Sequence, residues 1–167
     1  MIHSLLFALS LFAPREPLIV VPENTPFAIE GAEQEYGNPV RFKGELRFEG
    51  RYQFDWLVID GKPESLELRI FPNEADLKLI PFDEDRPVSE LLVRNAEVVA
   101  RSILGGTDAQ RLLGGKVLVK AGVGVFRVGA METAVDCDYR SYVVDVIVAE
   151  PAQFLVDIEI MPLRVGC

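Results

Sequence analysis

The stretch Val40-Arg41-Phe42-Lys43-Gly44-Glu45-Leu46-Arg47-Phe48-Glu49 decides the fold class of this chain. Val40, Phe42, Leu46 and Phe48 alternate with Arg41, Lys43, Glu45, Arg47 and Glu49. Successive side chains of a strand point to opposite faces, so a period of two marks a strand with one face buried. Gly44 stands where an inward side chain is due, which predicts a bulge or a close backbone approach.

Downstream, Gly50-Arg51 reads as a turn, and the alternation resumes in Tyr52, Phe54, Trp56 and Val58. Asp60-Gly61 is a strong hairpin signal. Leu66, Leu68 and Ile70 alternate with Glu67 and Arg69 until Pro72-Asn73 breaks the run. A shorter stretch, Leu77 to Phe82, suits an extension of the sheet. Period two then gives way to a helical face formed by Leu92, Ala96, Val99 and Ile103. Glu90 with Arg94, and Glu97 with Arg101, pair one turn apart on the outer side. Pro87 suits the first turn and Gly105-Gly106 ends the helix. Thr107-Asp108-Ala109-Gln110 has capping-box form and starts a short second helix, which Gly114-Gly115 stops.

Strands return with Val117, Val119, Ala121, Val123 and Val125, with Gly122 and Gly124 on the other face. Residues 136–141 form a polar turn. Val143, Val144, Val146, Ile147 and Val148 make a dense apolar strand, and Phe154, Val156, Ile158 and Ile160 alternate with Asp157 and Glu159. Upstream, residues 14–39 are rich in Pro and Glu, with one strand at Leu18–Val21. The expected architecture is mainly β: an OB-like five-stranded Greek-key barrel with one helix between strands 3 and 4 and extensions at both termini. The glycines at 44, 122 and 124 suit a small, strongly coiled barrel. The alternative is an open α+β sheet with the helix on one face. The layout is a signal segment at 1–13, an extended arm at 14–39 and a single domain at 40–167.

Three stretches, Val40 to Leu46, Leu113-Gly114-Gly115-Lys116-Val117-Leu118-Val119, and Thr133 to Val148, resemble a small OB-like family of unknown function in exported bacterial proteins. The resemblance covers about residues 40–149 and implies a fold and a location, not an activity. Family members often carry histidines after the threonine matched by Thr133. Here Ala134-Val135-Asp136-Cys137-Asp138-Tyr139 follows, so no metal or ligand role of those histidines carries over.

The 167 residues fit one domain, and the formal net charge of −9 opposes binding to nucleic acid or to anionic membranes. No run of about 20 apolar residues is present to span a bilayer. Ile2 to Ala13 is apolar and uncharged before Pro14-Arg15-Glu16-Pro17, which reads as the core of a secretory signal; a buried N-terminal strand or helix is the plainer reading. Export places the protein in the periplasm or outside the cell, with the cytoplasm as the alternative. There, Cys137 and Cys167 are able to form a disulfide or to remain free thiols. Asp136 and Asp138 flank Cys137, and their negative field makes it a poor nucleophile.

The single histidine, His3, lies in the signal segment. A cleaved chain has none, which removes Ser-His-Asp and Cys-His catalysis and the common zinc sites. Gly122-Val123-Gly124 sits in a strand pattern and does not open a helix, so it is a bend and not a phosphate cradle. Asp83-Glu84-Asp85 reads as a solvated loop. Asp136 and Asp138 read first as a polar hairpin tip, and second as ligand-binding carboxylates or a hydrolytic pair. Tyr52 and Trp56 are the aromatic candidates for a ligand, although core packing accounts for them more simply. The expectation is a non-catalytic exported binding or scaffold module without cofactor, whose partner is a protein, peptide or glycan. The alternatives are an acidic inhibitor or immunity-type protein, and a carboxylate-based hydrolase of the cell envelope.

Overall fold

The computed structural model describes residues 19–30, 39–83, 88–136 and 139–156. The N-terminal apolar run, Cys137, Asp138 and Cys167 lie outside the described residues. In chain order the elements are β1 (Ile19–Val20), β2 (Ala28–Glu30), β3 (Arg41–Lys43), β4 (Leu46–Ile59), β5 (Lys62–Pro72), α1 (Glu74–Leu77), β6 (Phe82–Asp83), β7 (Leu91–Val93), α2 (Ala96–Ile103), α3 (Gly105–Leu113), β8 (Val119–Asp136) and β9 (Tyr139–Val156).

β4 organises the rest. Leu46, Phe48, Tyr52 and Phe54 are buried while Arg47, Glu49 and Arg51 are exposed, so one parity runs through Gly50. The strand therefore does not turn at Gly50-Arg51 as the composition suggested. Gly50 instead lets β5 come close, since a Cβ there would lie 2.9 Å from the Phe71 carbonyl oxygen. The break falls at Gly44-Glu45, where a Cβ on Gly44 would meet the Pro26 carbonyl oxygen at 2.2 Å. At the far end, Asp60 (φ +50°) and Gly61 (φ +73°) make the expected tight turn into β5.

The main sheet is mixed and seven-stranded. β4 pairs antiparallel with β5 on one side and β8 on the other. β5 pairs antiparallel with β7, β7 runs parallel to β9, and β9 pairs antiparallel with β8. The ladder β8-β4-β5-β7-β9 thus returns to β8. β3 also lies on β8 and carries β2 at its outer edge. β1 and β6 form a separate two-stranded sheet. The stretch from Leu77 to Phe82 consequently does not extend the main sheet. Asn73 Oδ1 accepts from the N–H groups of Ala75 and Asp76, starting α1, and Phe82 pairs with Val20.

Inside the ring of strands lie Leu46, Phe48, Phe54, Leu68, Ile70, Leu91, Phe126, Val128 and Val144, all buried. Burying each such side chain contributes about 1.5–3 kcal/mol. On β8 the inward face is the glycine face. Gly122 opposes Tyr52 and Gly124 opposes Gly50, while Val119, Val123 and Val125 face outward, half-buried. The reason is volume: a Cβ on Gly122 would lie 2.7 Å from the Tyr52 hydroxyl.

Leu92 belongs to β7 and not to the helix. It pairs with Arg69 and Val143, and Arg94 N–H still donates to the Val144 carbonyl at 3.0 Å, so the ladder outlasts the helical pattern. α2 begins only at Ala96 and buries Ala96, Val99, Ala100 and Ile103. α3 follows through Leu104 and Gly105 (φ +66°). Thr107 therefore sits inside the helix, and the capping box is not its start. Gly115 (φ +67°) ends α3 as expected. The two apolar segments at the C-terminal side form one strand, β9, whose register against β8 shifts near Val128.

Candidate functional site

Of the residues singled out by sequence, Tyr52 and Trp56 share the inward parity of β4, four residues apart. Trp56 reaches α3, while Tyr52 lies over Gly122 between Phe54 and Phe126. The Trp56 indole Nε1–H donates to the Leu112 carbonyl at 3.0 Å, close to the last turn of α3. Tyr52 is 1% exposed, packed edge-on against Phe54 with ring centroids 5.6 Å apart. Its hydroxyl is buried without a hydrogen-bond partner among the described residues. Burial, reinforced by the negative charge of Asp108, pushes the Tyr52 phenol from 10.0 up to about 12.

A second contact with α3, from β8, joins Lys120 to Asp108, and neither was singled out as a site residue in the sequence. Lys120 pairs with Phe54 in the β4–β8 register, which puts it on the inward face beside Gly122. Its ammonium reaches the Asp108 carboxylate of α3 at 3.3 Å, with the lysine side chain only 13% exposed. The alternation of valines drew attention away from the even-numbered positions of β8. The available signal was the lysine between Val119 and Ala121, on the same parity as Gly122 and Gly124.

The outer face of β4 and β5 carries a second arrangement. A shallow, open depression of about 670 Å³ is lined by Glu49, Gly50, Arg51, Phe71, Asn73 and Glu74, among others. The Arg51 guanidinium lies 5.6 Å from the centre of the Phe71 ring, within cation–π range. Further along the same face, Arg69 forms an ion pair with Asp55, and Gln53 Nε2 donates to both carboxylate oxygens of Asp55 at 3.1 and 2.9 Å. The arginines and glutamates of β4 face outward together, on the side opposite the aromatics, as the alternation required.

Asp136 is the last residue of β8 and pairs with Tyr139, the first of β9. Asp138, Cys137 and Cys167 lie outside the described residues. Among the described residues no three His, Cys, Asp or Glu side chains gather to hold a metal ion. No helix among them is long and apolar enough to cross a membrane. Compared with family models, with curated proteins and with solved structures, the chain matches none.

Proposed function

We propose that this protein is a non-catalytic, exported binding module on an OB-like barrel, and that it takes a cationic segment of a protein partner. The cyclic order of β4, β5, β7, β9 and β8, with α2 and α3 between the third and fourth strands along the chain, supports the barrel reading. Export rests on the apolar run Ile2 to Ala13 and on the resemblance of residues 40–149 to an exported family.

The observation that carries the binding reading is the outer depression on β4 and β5. It is broad and open to solvent, which suits a partner surface better than an enclosed small molecule. Glu49 and Glu74 stand against Arg51 alone, on a chain of net charge −9, so a basic partner is favoured. If that partner is an enzyme with a cationic active site, the protein acts as its inhibitor. The test passes an envelope extract over the immobilised protein and over its Glu49→Lys/Glu74→Lys variant. A partner held by the first and released by the second supports the reading, and its association slows as salt rises. Equal retention on both surfaces counts against it.

A further inference from the structure

The outer depression on β4 and β5 is built around one aromatic ring. We propose that the cationic partner anchors itself there through an arginine side chain, which stacks on Phe71 in the place that Arg51 holds in the free protein. Such an anchor presupposes that the depression is the partner surface.

Of the aromatic side chains on β4 and β5, Phe71 alone takes no part in the hydrophobic core. It is half-buried on the outer face, directly opposite Arg51 in the β4–β5 register. β7 pairs with β5 only at Arg69 and Ile70, so among the described residues no strand partner stands beside Phe71 on that side. The Arg51 guanidinium covers the ring, 5.6 Å from its centre.

The charges around the ring are unpaired. Elsewhere on the outer surface of β4, β5 and β8 the arginines meet carboxylates: Arg69 meets Asp55, Arg47 meets Glu150 and Arg127 meets Glu45. Arg51, Glu49 and Glu74 all line the depression, yet among the described residues none of the three makes an ion pair. Arg51, set opposite Phe71 by its register, takes the ring and leaves both carboxylates unneutralised. An incoming guanidinium has the ring and the carboxylates together. Arginine suits this better than lysine, because the guanidinium is planar and weakly hydrated and stacks on an aromatic face, while its in-plane N–H groups remain free for carboxylates. The lysine ammonium is compact and strongly hydrated. Arg51 is exposed on a long stem, so it swings into solvent when the partner's arginine arrives.

The full chain is titrated with capped tetra-arginine and with capped tetra-lysine, which carry equal charge, while the Arg51 Nε–H is followed by heteronuclear NMR. Both peptides are expected to bind saturably, the arginine peptide about threefold tighter, the scale of an exposed cation–π contact. The arginine peptide also moves the Arg51 resonance toward that of a solvated guanidinium. Phe71→Leu keeps an apolar side chain and removes the ring, so the two peptides then bind alike. Equal affinities on the unaltered chain, an Arg51 resonance that does not move, a preference for arginine that survives Phe71→Leu, or no binding of either peptide overturns the anchor. If Phe71→Leu does not fold, the resonance and the ratio of affinities on the unaltered chain decide. A partner captured from the envelope extract separates this anchor from the surface beneath it. Retention that depends on Glu49 and Glu74 but not on Phe71 overturns the arginine anchor and keeps the surface, whereas retention independent of both glutamates removes the surface itself.

Discussion

α2 and α3 follow one another across a single residue, yet they are held in opposite ways. α2 buries four side chains and ties itself to β9 with its own flank. The Asn95 Nδ2 donates to the Val146 carbonyl at 2.8 Å, Asn95 Oδ1 accepts from Val146 N–H at 3.0 Å, and Ser102 Oγ donates to the Ala149 carbonyl at 3.0 Å. α3 buries two, and the strands reach out to it through Trp56 and Lys120. A helix anchored by backbone-directed bonds from its own end opens only with the sheet. A helix gripped by two side chains, with glycine in its first turn and just past its last, is able to open alone.

The largest effect that tests this contrast comes from cavity mutants. Ile103→Ala in α2 lowers the unfolding free energy by about 3 kcal/mol in urea. Leu112→Ala in α3 removes a comparable buried contact, but its main readout is faster amide exchange confined to α3, with a smaller shift of the global midpoint. Equal global losses in both would erase the distinction. Next comes Asn95→Ala, which leaves the Val146 N–H and C=O without their partner and costs about 2 kcal/mol; a loss below about 0.5 kcal/mol would show that solvent replaces the amide there.

Tyr52→Phe follows, with the opposite sign. Removing an unpartnered buried hydroxyl stabilises the fold by about 1 kcal/mol. The phenol binds its proton more tightly when folded, so its contribution is full below pH 10 and is lost as pH rises toward 12. The stability difference between Tyr52→Phe and the parent therefore grows with pH across that window, and a difference that stays flat would refute the assignment. The smallest effect is Gly106→Ala. The site is helical and open, so alanine adds about 0.5 kcal/mol and slows exchange in α3, moving it toward the behaviour of α2.

Much of this was legible in the residues. The alternation from Val40 to Glu49 and from Leu66 to Ile70 placed the buried faces correctly, because a half-buried strand imposes its period on the chain, although the first stretch is divided between β3 and β4 at Gly44-Glu45. Asp60-Gly61 was legible because positive φ at consecutive residues selects Asn, Asp and Gly. Gly50 misled as a turn, although the parity carried through from Phe48 to Tyr52 already argued for one strand. Leu92 fitted a helical face by spacing, and only its pairing with Arg69 and Val143 made it a strand. Tyr52 and Trp56 were legible as candidates. Lys120 and Asp108 were not, since an inward lysine on a strand of alternating valines has meaning only once Phe54 lies opposite it.

The bonds from Asn95 and Ser102 to β9 have a consequence beyond anchoring. Past Val144 the strand has left β7 behind, and the N–H of Val146 with the carbonyls of Val146 and Ala149 would form an open edge. An open edge is a template on which another chain adds a strand, the first step of aggregation. By laying a helix along that edge and filling three of its positions, the fold closes the template before another chain can use it.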